Sequence, residues 1–135
     1  MNVIKELFGS LFKSGNIPYE KAKKMARHKN VAVRRKLAER EDVKPEILYF
    51  LAEDNDPDVR RVIAVNAAAP RHADLLLAAD ADHEVRVGLA EKIALLAPGL
   101  TSDEQDKIRM MTYEALEILA RDQVTKVRQI IAETL

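Results

Sequence analysis

Residues 51–64 of the chain read LAEDNDPDVRRVIA, and residues 77–90 read LAADADHEVRVGLA. The same register recurs at 25–38 (MARHKNVAVRRKLA) and at 119–132 (LARDQVTKVRQIIA). The Val-Arg dipeptides of the four copies are separated by 26, 26 and 42 residues, and the last spacing contains a 16-residue insertion. Agreement at several positions in four copies indicates an internal repeat, and a repeat determines the fold class.

Each copy has the pattern of a short helix, a tight turn and a second helix. The Leu-Ala pair falls on the first helix, and apolar residues three to five positions apart share one face of the second. In the second copy, Pro45 suits the first turn of the first helix, while Asp56 can cap the second helix and Pro57 can begin it. Asn30 and Asp82 stand at the same capping position in other copies. We therefore predict an all-α fold of four helical hairpins.

The chain divides into two predicted segments. Residues 1–17 form an amphipathic helix that covers the first face of the array, with a helix lying in a membrane interface as the alternative. Residues 18–135 form the repeats. The second helices of the repeats are predicted near 31–40, 57–68, 83–97 and 125–135.

The pattern Leu-Ala-x-Asp-x-x-x-x-Val-Arg-x-x-Ile-Ala, clearest from Ile47 to Ala90, resembles the HEAT-like α-solenoids, in particular their leucine-rich-repeat-variant branch. Residues 19–135 resemble the N-terminal part of a bacterial HEAT-like family defined by a domain of unknown function. The resemblance implies a right-handed α-solenoid that serves as a binding scaffold. Some variant-repeat proteins carry an iron–sulfur cluster, but this chain has no Cys, so no cofactor is predicted.

An acid and an arginine recur in register and are interpreted as a structural ion-pair ladder, because an active site would not recur in every copy. A guanidinium that meets a turn carboxylate fixes the angle between helices. The predicted pairs lie within single copies, with a bridge to the next copy left open: Asp54/Arg60, Asp80/Arg86 and Asp122/Arg128. Arg34 has His28 at the acidic position, which leaves the partner of Arg34 undetermined.

No constellation of residues predicts catalysis or a metal site. His83-Glu84 resembles the iron-binding pairs of a HEAT-type hydroxylase, but that enzyme uses several such pairs and this chain has one. The pair is interpreted as a solvated helix start. Neither a Gly-rich phosphate loop nor a Ser-His-Asp arrangement is present in a supporting context. The chain is therefore predicted not to be an enzyme.

Charge is distributed unevenly along the chain. Residues 1–40 carry a net charge of +8 and residues 41–135 a net charge of −8. The densest basic cluster consists of Lys21, Lys23, Lys24, Arg27 and Lys29. We interpret this cluster first as a solvated helix face and second as a contact for an anionic partner, with attraction between opposite ends of two molecules as a further hypothesis.

A candidate partner surface is predicted on the outward side of the second helices. At 100° per residue, Val62, Val65, Val87 and Gly88 point away from the buried face, yet none of them is charged. The complete predicted surface is Arg35, Arg61, Val62, Val65, Val87, Gly88 and Glu91. Contiguous apolar surface marks an interaction site; the alternative is that another part of the protein covers it.

These observations favour a cytoplasmic, non-catalytic scaffold for a protein partner that the sequence does not identify. Absence of Cys suits a reducing compartment. Few aromatic residues and acidic later copies disfavour nucleic acid, and the N-terminal helix leaves peripheral membrane contact open. The C-terminal edge at Val127, Ile130, Ile131 and Leu135 lacks a polar cap. We therefore expect either a longer natural chain or self-association through that edge.

Overall fold

The computed structural model describes residues 16–96, 112 and 114–134, and the predicted N-terminal helix lies outside them except for its last two residues. The described residues form helices and contain no strand. The helices are α1 (Tyr19–Ala26), α2 (Val31–Ala38), α3 (Pro45–Ala52), α4 (Pro57–Val65), α5 (Arg71–Ala78), α6 (His83–Leu96), α7 (residues 114–120) and α8 (Thr125–Thr134).

The helices pack in pairs along the chain and in two rows across it. Within units, α1 contacts α2, α3 contacts α4 and α5 contacts α6. Between units, the first helices α1, α3 and α5 contact one another in order, and so do the second helices α2, α4, α6 and α8. Each unit therefore packs against its sequence neighbours.

Local chemistry explains where the second helices begin. The side chains of Asn30, Asp56 and Asp82 each accept a hydrogen bond from the backbone N–H two residues later, at 2.9, 2.8 and 2.8 Å. Such bonds satisfy donors that the first turn of a helix leaves without partners. The predicted capping residues are thus confirmed for α2, α4 and α6.

The turns between the two helices of a unit have nearly the same backbone geometry. Arg27, Glu53 and Ala79 follow the first helices with φ/ψ values of −104°/8°, −101°/12° and −102°/14°. These residues stand 26 positions apart in the chain. The turns of the first three copies therefore share one backbone conformation at this position.

The apolar repeat positions form the core. The Leu-Ala positions of the first helices are buried at Met25, Leu51, Leu77 and Leu119. The valines and the following aliphatic residues of the second helices are buried at Val33, Leu37, Val59, Ile63, Val85, Leu89, Val127 and Ile131. Small alanines beside them let neighbouring helices approach closely, so one continuous core runs through the units.

Helix α4 ends at Val65, three residues before the predicted end at 68. Asn66 takes an extended conformation, and its side-chain amide donates to the carbonyl oxygens of Ala38 and Arg40 at 2.8 and 2.9 Å. Its Oδ1 also accepts the N–H of Ala68. These bonds tie the end of α4 to the preceding unit and turn the chain away from the helix axis.

The longest helix of the described ranges, α6, has 14 residues. Spanning a bilayer takes about 20 mostly apolar residues. None of the helices in those ranges meets the length and hydropathy that a membrane span requires.

Candidate functional site

The recurring arginines bridge neighbouring units. Arg60 donates from Nε and Nη2 to the two carboxylate oxygens of Asp80, at 2.8 and 3.2 Å. Its Nη1 donates to the carbonyl oxygen of Asp54, at 2.8 Å. One guanidinium therefore holds the turn of its own unit and the carboxylate of the next, in the bidentate geometry that suits Arg.

The carboxylate–guanidinium pairing predicted within each unit is therefore wrong. The bridges run from Arg34 to Asp54, from Arg60 to Asp80 and from Arg86 to Asp122. The physical reason lies in the turn, where each carboxylate accepts the backbone N–H two residues later. That bond fixes the acid at the turn, where the arginine of the preceding unit reaches it.

His28 replaces the acid in the first unit without disrupting the turn. Its Nδ1 accepts the N–H of Asn30 at 3.0 Å, as a carboxylate oxygen does elsewhere. Arg34, whose partner the sequence left undetermined, pairs with Asp54 and donates from Nη1 to the carbonyl of His28 at 2.6 Å. At the other end, Arg128 donates to the carbonyl of Asp122 and meets no carboxylate in the described part of the chain.

Two members of the bridges, Arg60 and Asp122, have pKa values that depart from their usual ones. The hydrogen bond to Asp80 raises the pKa of Arg60. Burial alone would raise the pKa of Asp122, but hydrogen bonds from Arg86 and from the N–H of Val124 outweigh it and lower that pKa. The bridges therefore favour the charged forms of Arg60 and Asp122.

All seven residues of the predicted partner surface line one groove of about 220 Å³. Helices α2, α4, α6 and α8 all contribute to it, so it crosses the row of second helices. Sequence reasoning missed two further lining residues, Glu84 and Lys126. Both stand directly before a Val-Arg dipeptide, and this shared repeat position was the signal that could have found them. We call this feature the valine groove.

The apolar part of the valine groove is less exposed than predicted. Val65 is 52% exposed, but Val62 is half-buried and Val87 and Gly88 are buried. The reason is the close approach of α4 and α6 at Gly88: a Cβ added there would lie 3.0 Å from Cγ1 of Val65. Val87 and Gly88 are consequently part of the floor, and Val65 projects above it.

Charges of both signs line the rest of the groove. Arg35, Arg61 and Lys126 supply three cations, and Glu84 and Glu91 supply two acids. Arg61 contacts Asp58 at 3.4 Å, and because both side chains of this pair are exposed, the Arg61 guanidinium stays accessible. The groove thus places charged side chains that can form hydrogen bonds beside an apolar centre.

A buried polar cluster joins three units, and sequence reasoning missed it. Lys92 donates to Asp74 at 2.5 Å and to the carbonyl of Asn66 at 3.2 Å, and Arg71 donates to the other oxygen of Asp74 at 2.9 Å. Burial lowers the pKa of Lys92, while the Asp74 charge opposes that effect. The available signal was an aspartate where the equivalent positions of the second and fourth copies, residues 48 and 116, hold leucine.

The predicted basic cluster lies on α1 and the turn that follows, on the row opposite the valine groove. Lys23, Lys24, Arg27 and Lys29 are exposed and Lys21 is half-buried. Lys23 lies 5.4 Å from the ring centroid of Tyr19, and Arg27 lies 5.7 Å from that of Phe50. A hollow of about 540 Å³ lies between Arg27, His28 and Lys29 on one side and Phe50 and Glu53 on the other.

Within the described ranges, no three His, Asp or Glu side chains are grouped as a metal site would require. His83 and Glu84 contact each other at 3.1 Å and are both exposed at the start of α6.

Comparison of the chain with protein families, with curated proteins and with solved structures finds no match.

Proposed function

We propose that this chain is a non-catalytic protein-interaction scaffold built as a HEAT-like, right-handed α-solenoid of four helical-hairpin units. The repeated turn geometry and the inter-unit arginine bridges support the architecture. In a solenoid each repeat contacts its neighbours, and the stacked units present an extended binding surface.

The proposed function rests mainly on the valine groove. It crosses the second helices of all four units and combines an exposed Val65 with a charged rim. Protein interfaces have this layout of an apolar centre and a polar rim. The proposed ligand is a segment of a partner protein whose apolar side chain covers Val65 and whose acidic groups face Arg35 and Arg61.

Val65→Asp tests the proposal with little risk to the fold. Because Val65 is exposed, we expect the free energy of unfolding to change by no more than about 0.5 kcal/mol. Leu95→Asp is the matched control, since Leu95 is 81% exposed and does not line the groove. In affinity purification from the native host followed by mass spectrometry, the partner should be retained by wild type and Leu95→Asp and lost by Val65→Asp. A folded Val65→Asp variant with an unchanged set of partners would refute the groove.

Contact with an anionic surface is a second candidate function, favoured by the four exposed cations of the basic cluster and by the hollow beside Arg27. Such binding weakens steeply with salt. Liposome flotation and DNA shift assays at low and physiological salt separate lipid from nucleic acid as the ligand. Arg27→Glu should abolish either interaction, whereas Arg35→Glu on the opposite row should not.

A further inference from the structure

Three exposed apolar side chains occupy one repeat position on the first helices. Phe50, Leu76 and Ile118 are 45%, 41% and 40% exposed, and each directly precedes the Leu-Ala pair of its copy. A single exposed apolar residue needs no explanation. Helices α3 and α5 are in direct contact, so Phe50 and Leu76 lie on neighbouring helices, and the repeat register gives Ile118 the corresponding position on α7. We call these three residues the first-helix stripe.

The residues directly before Phe50 and Leu76 add apolar surface beside the first-helix stripe. Tyr49 and Leu75 are half-buried beside Phe50 and Leu76, and the ring of Tyr49 lies 4.7 Å from that of His72. The same position holds Lys23 in the first copy and Glu117 in the fourth, both exposed. At this second repeat position the row is therefore apolar in the middle and charged at its two ends.

The two ends of the stripe carry opposite charges. At the first unit, Lys23, Lys24 and Arg27 are exposed against one acid, Glu20. At the fourth unit, the exposed acids Glu114 and Glu117 stand against Arg121. A second copy of the same face, turned end for end, would bring each cationic end against an acidic one, whereas a parallel copy would bring like charges together.

We infer that the first-helix stripe is the contact face of an antiparallel homodimer with two-fold symmetry. The same surface of both copies forms an isologous contact, so the apolar centre packs on itself with Phe50 of one copy against Leu76 of the second. The two basic ends lie against the acidic ends of α7. The valine groove, on the row of second helices, stays open in both copies. The inference does not depend on the function of that groove.

Sedimentation velocity across the micromolar range tests the dimer with the full chain. Wild type should show a concentration-dependent monomer–dimer equilibrium, and the dissociation constant of the dimer should rise with salt. Leu76→Asp should raise the dissociation constant about a hundredfold or more, because symmetry places every substitution in the interface twice. Leu95→Asp, exposed on α6 away from the stripe, should leave it unchanged. A wild-type chain that stays monomeric throughout would overturn the inference.

Charge exchange tests the antiparallel arrangement without altering any apolar contact. Lys23→Glu and Glu117→Lys should each weaken dimerisation, and the double variant should restore it, because the two exchanged charges meet across the interface. Both residues are exposed, so neither change should disturb folding, which circular dichroism verifies. Additive weakening in the double variant would overturn the antiparallel arrangement.

Disulfide trapping gives a direct geometric test, since the chain contains no native Cys. Phe50→Cys and Leu76→Cys, each as a single variant, are mixed and oxidised. The antiparallel dimer predicts that the mixed disulfide forms faster than either disulfide between identical variants, because bonding requires close Cβ atoms. Predominance of the two identical pairs would indicate a parallel contact and overturn the inference.

Discussion

Arg60 joins two units through the nitrogens of one side chain. Nη1 donates to the carbonyl oxygen of Asp54, and Nε and Nη2 donate to the carboxylate of Asp80. The Asp80 side chain is 7% exposed, so the carboxylate depends on this guanidinium for much of its stabilisation. Removing the guanidinium strands a mostly buried charge, which costs more than an ordinary hydrogen bond.

Arg60→Ala should therefore lower the free energy of unfolding by about 3 kcal/mol, measured by urea denaturation. Arg128→Ala is the matched control at the same repeat position. Arg128 holds the carbonyl of its own turn but no carboxylate among the described residues, so its loss should cost about 1 kcal/mol or less. Similar losses in both variants would show that the inter-unit carboxylate contributes nothing.

Breaking the Lys92–Asp74 ion pair should cost even more, because both of its side chains are almost fully buried. Lys92→Met should cost about 3–5 kcal/mol, since it leaves the carboxylate with Arg71 alone. Adding Asp74→Leu should recover most of that loss, because leucine stands at the equivalent positions 48 and 116. Chemical denaturation of both single variants and the double variant measures the coupling; additive losses would contradict it.

At the scale of elements, the approach of α4 and α6 depends on a residue without a side chain. Gly88 lies on α6 beneath Val65, and an added Cβ would lie 3.0 Å from Cγ1 of Val65 but 3.8 Å from Cβ of Ala64. A glycine inside a helix costs about 1 kcal/mol relative to alanine. At residue 88, helix propensity therefore favours alanine, whereas the close approach of α4 and α6 favours glycine.

The substitutions Val65→Ala and Gly88→Ala, made singly and together, separate the effect of helix propensity from the steric effect of helix packing. In a Val65→Ala background, Gly88→Ala should stabilise the protein by about 0.5–1 kcal/mol, because helix propensity acts without a steric cost. In the wild-type background, Gly88→Ala should increase the free energy of unfolding by less, because the β-branched Val65 must shift. A thermodynamic cycle from urea unfolding gives the difference. Equal gains in both backgrounds would mean that Val65 does not restrict the approach of the helices.

For the molecule as a whole, the Arg86–Asp122 bridge makes the contact between the third and fourth units sensitive to acid. The folded-state pKa of Asp122 lies below its usual value. At acidic pH the unfolded chain consequently binds more protons than the folded chain, and stability rises with pH there. The stabilisation from Asp122 is fully present above the unfolded carboxyl pKa of about 3.9 and is lost as pH falls through the folded value.

Asp122→Asn should remove this dependence. At neutral pH the variant should be less stable than wild type by about 1–3 kcal/mol, because Arg86 loses its charged partner. Below pH of about 4 the two proteins should converge as the wild-type carboxylate becomes protonated. Unfolding curves recorded from neutral to strongly acidic pH provide the measurement. A constant difference over that range would exclude Asp122 as a source of the acid sensitivity.

The features that could be predicted from the sequence are those that depend on local chemistry. The repeat register, the all-helical class and the caps at Asn30, Asp56 and Asp82 follow from patterns that span a few residues. The buried apolar positions of the repeat follow from helical periodicity, because an apolar face must be covered by another element. The same periodicity brought the seven candidate surface residues into one groove.

The contacts between units could not be predicted from the sequence, because they depend on how the helices pack. Spacing places Asp54 six residues before Arg60, yet its carboxylate pairs with Arg34, twenty residues earlier in the chain. Helical periodicity predicts that Val87 points outward, but Val87 is buried where α4 closely approaches α6 at Gly88. Periodicity within one helix contains no information on the distance to the next. That distance results from how the units pack, and it selects the partner of each charged side chain.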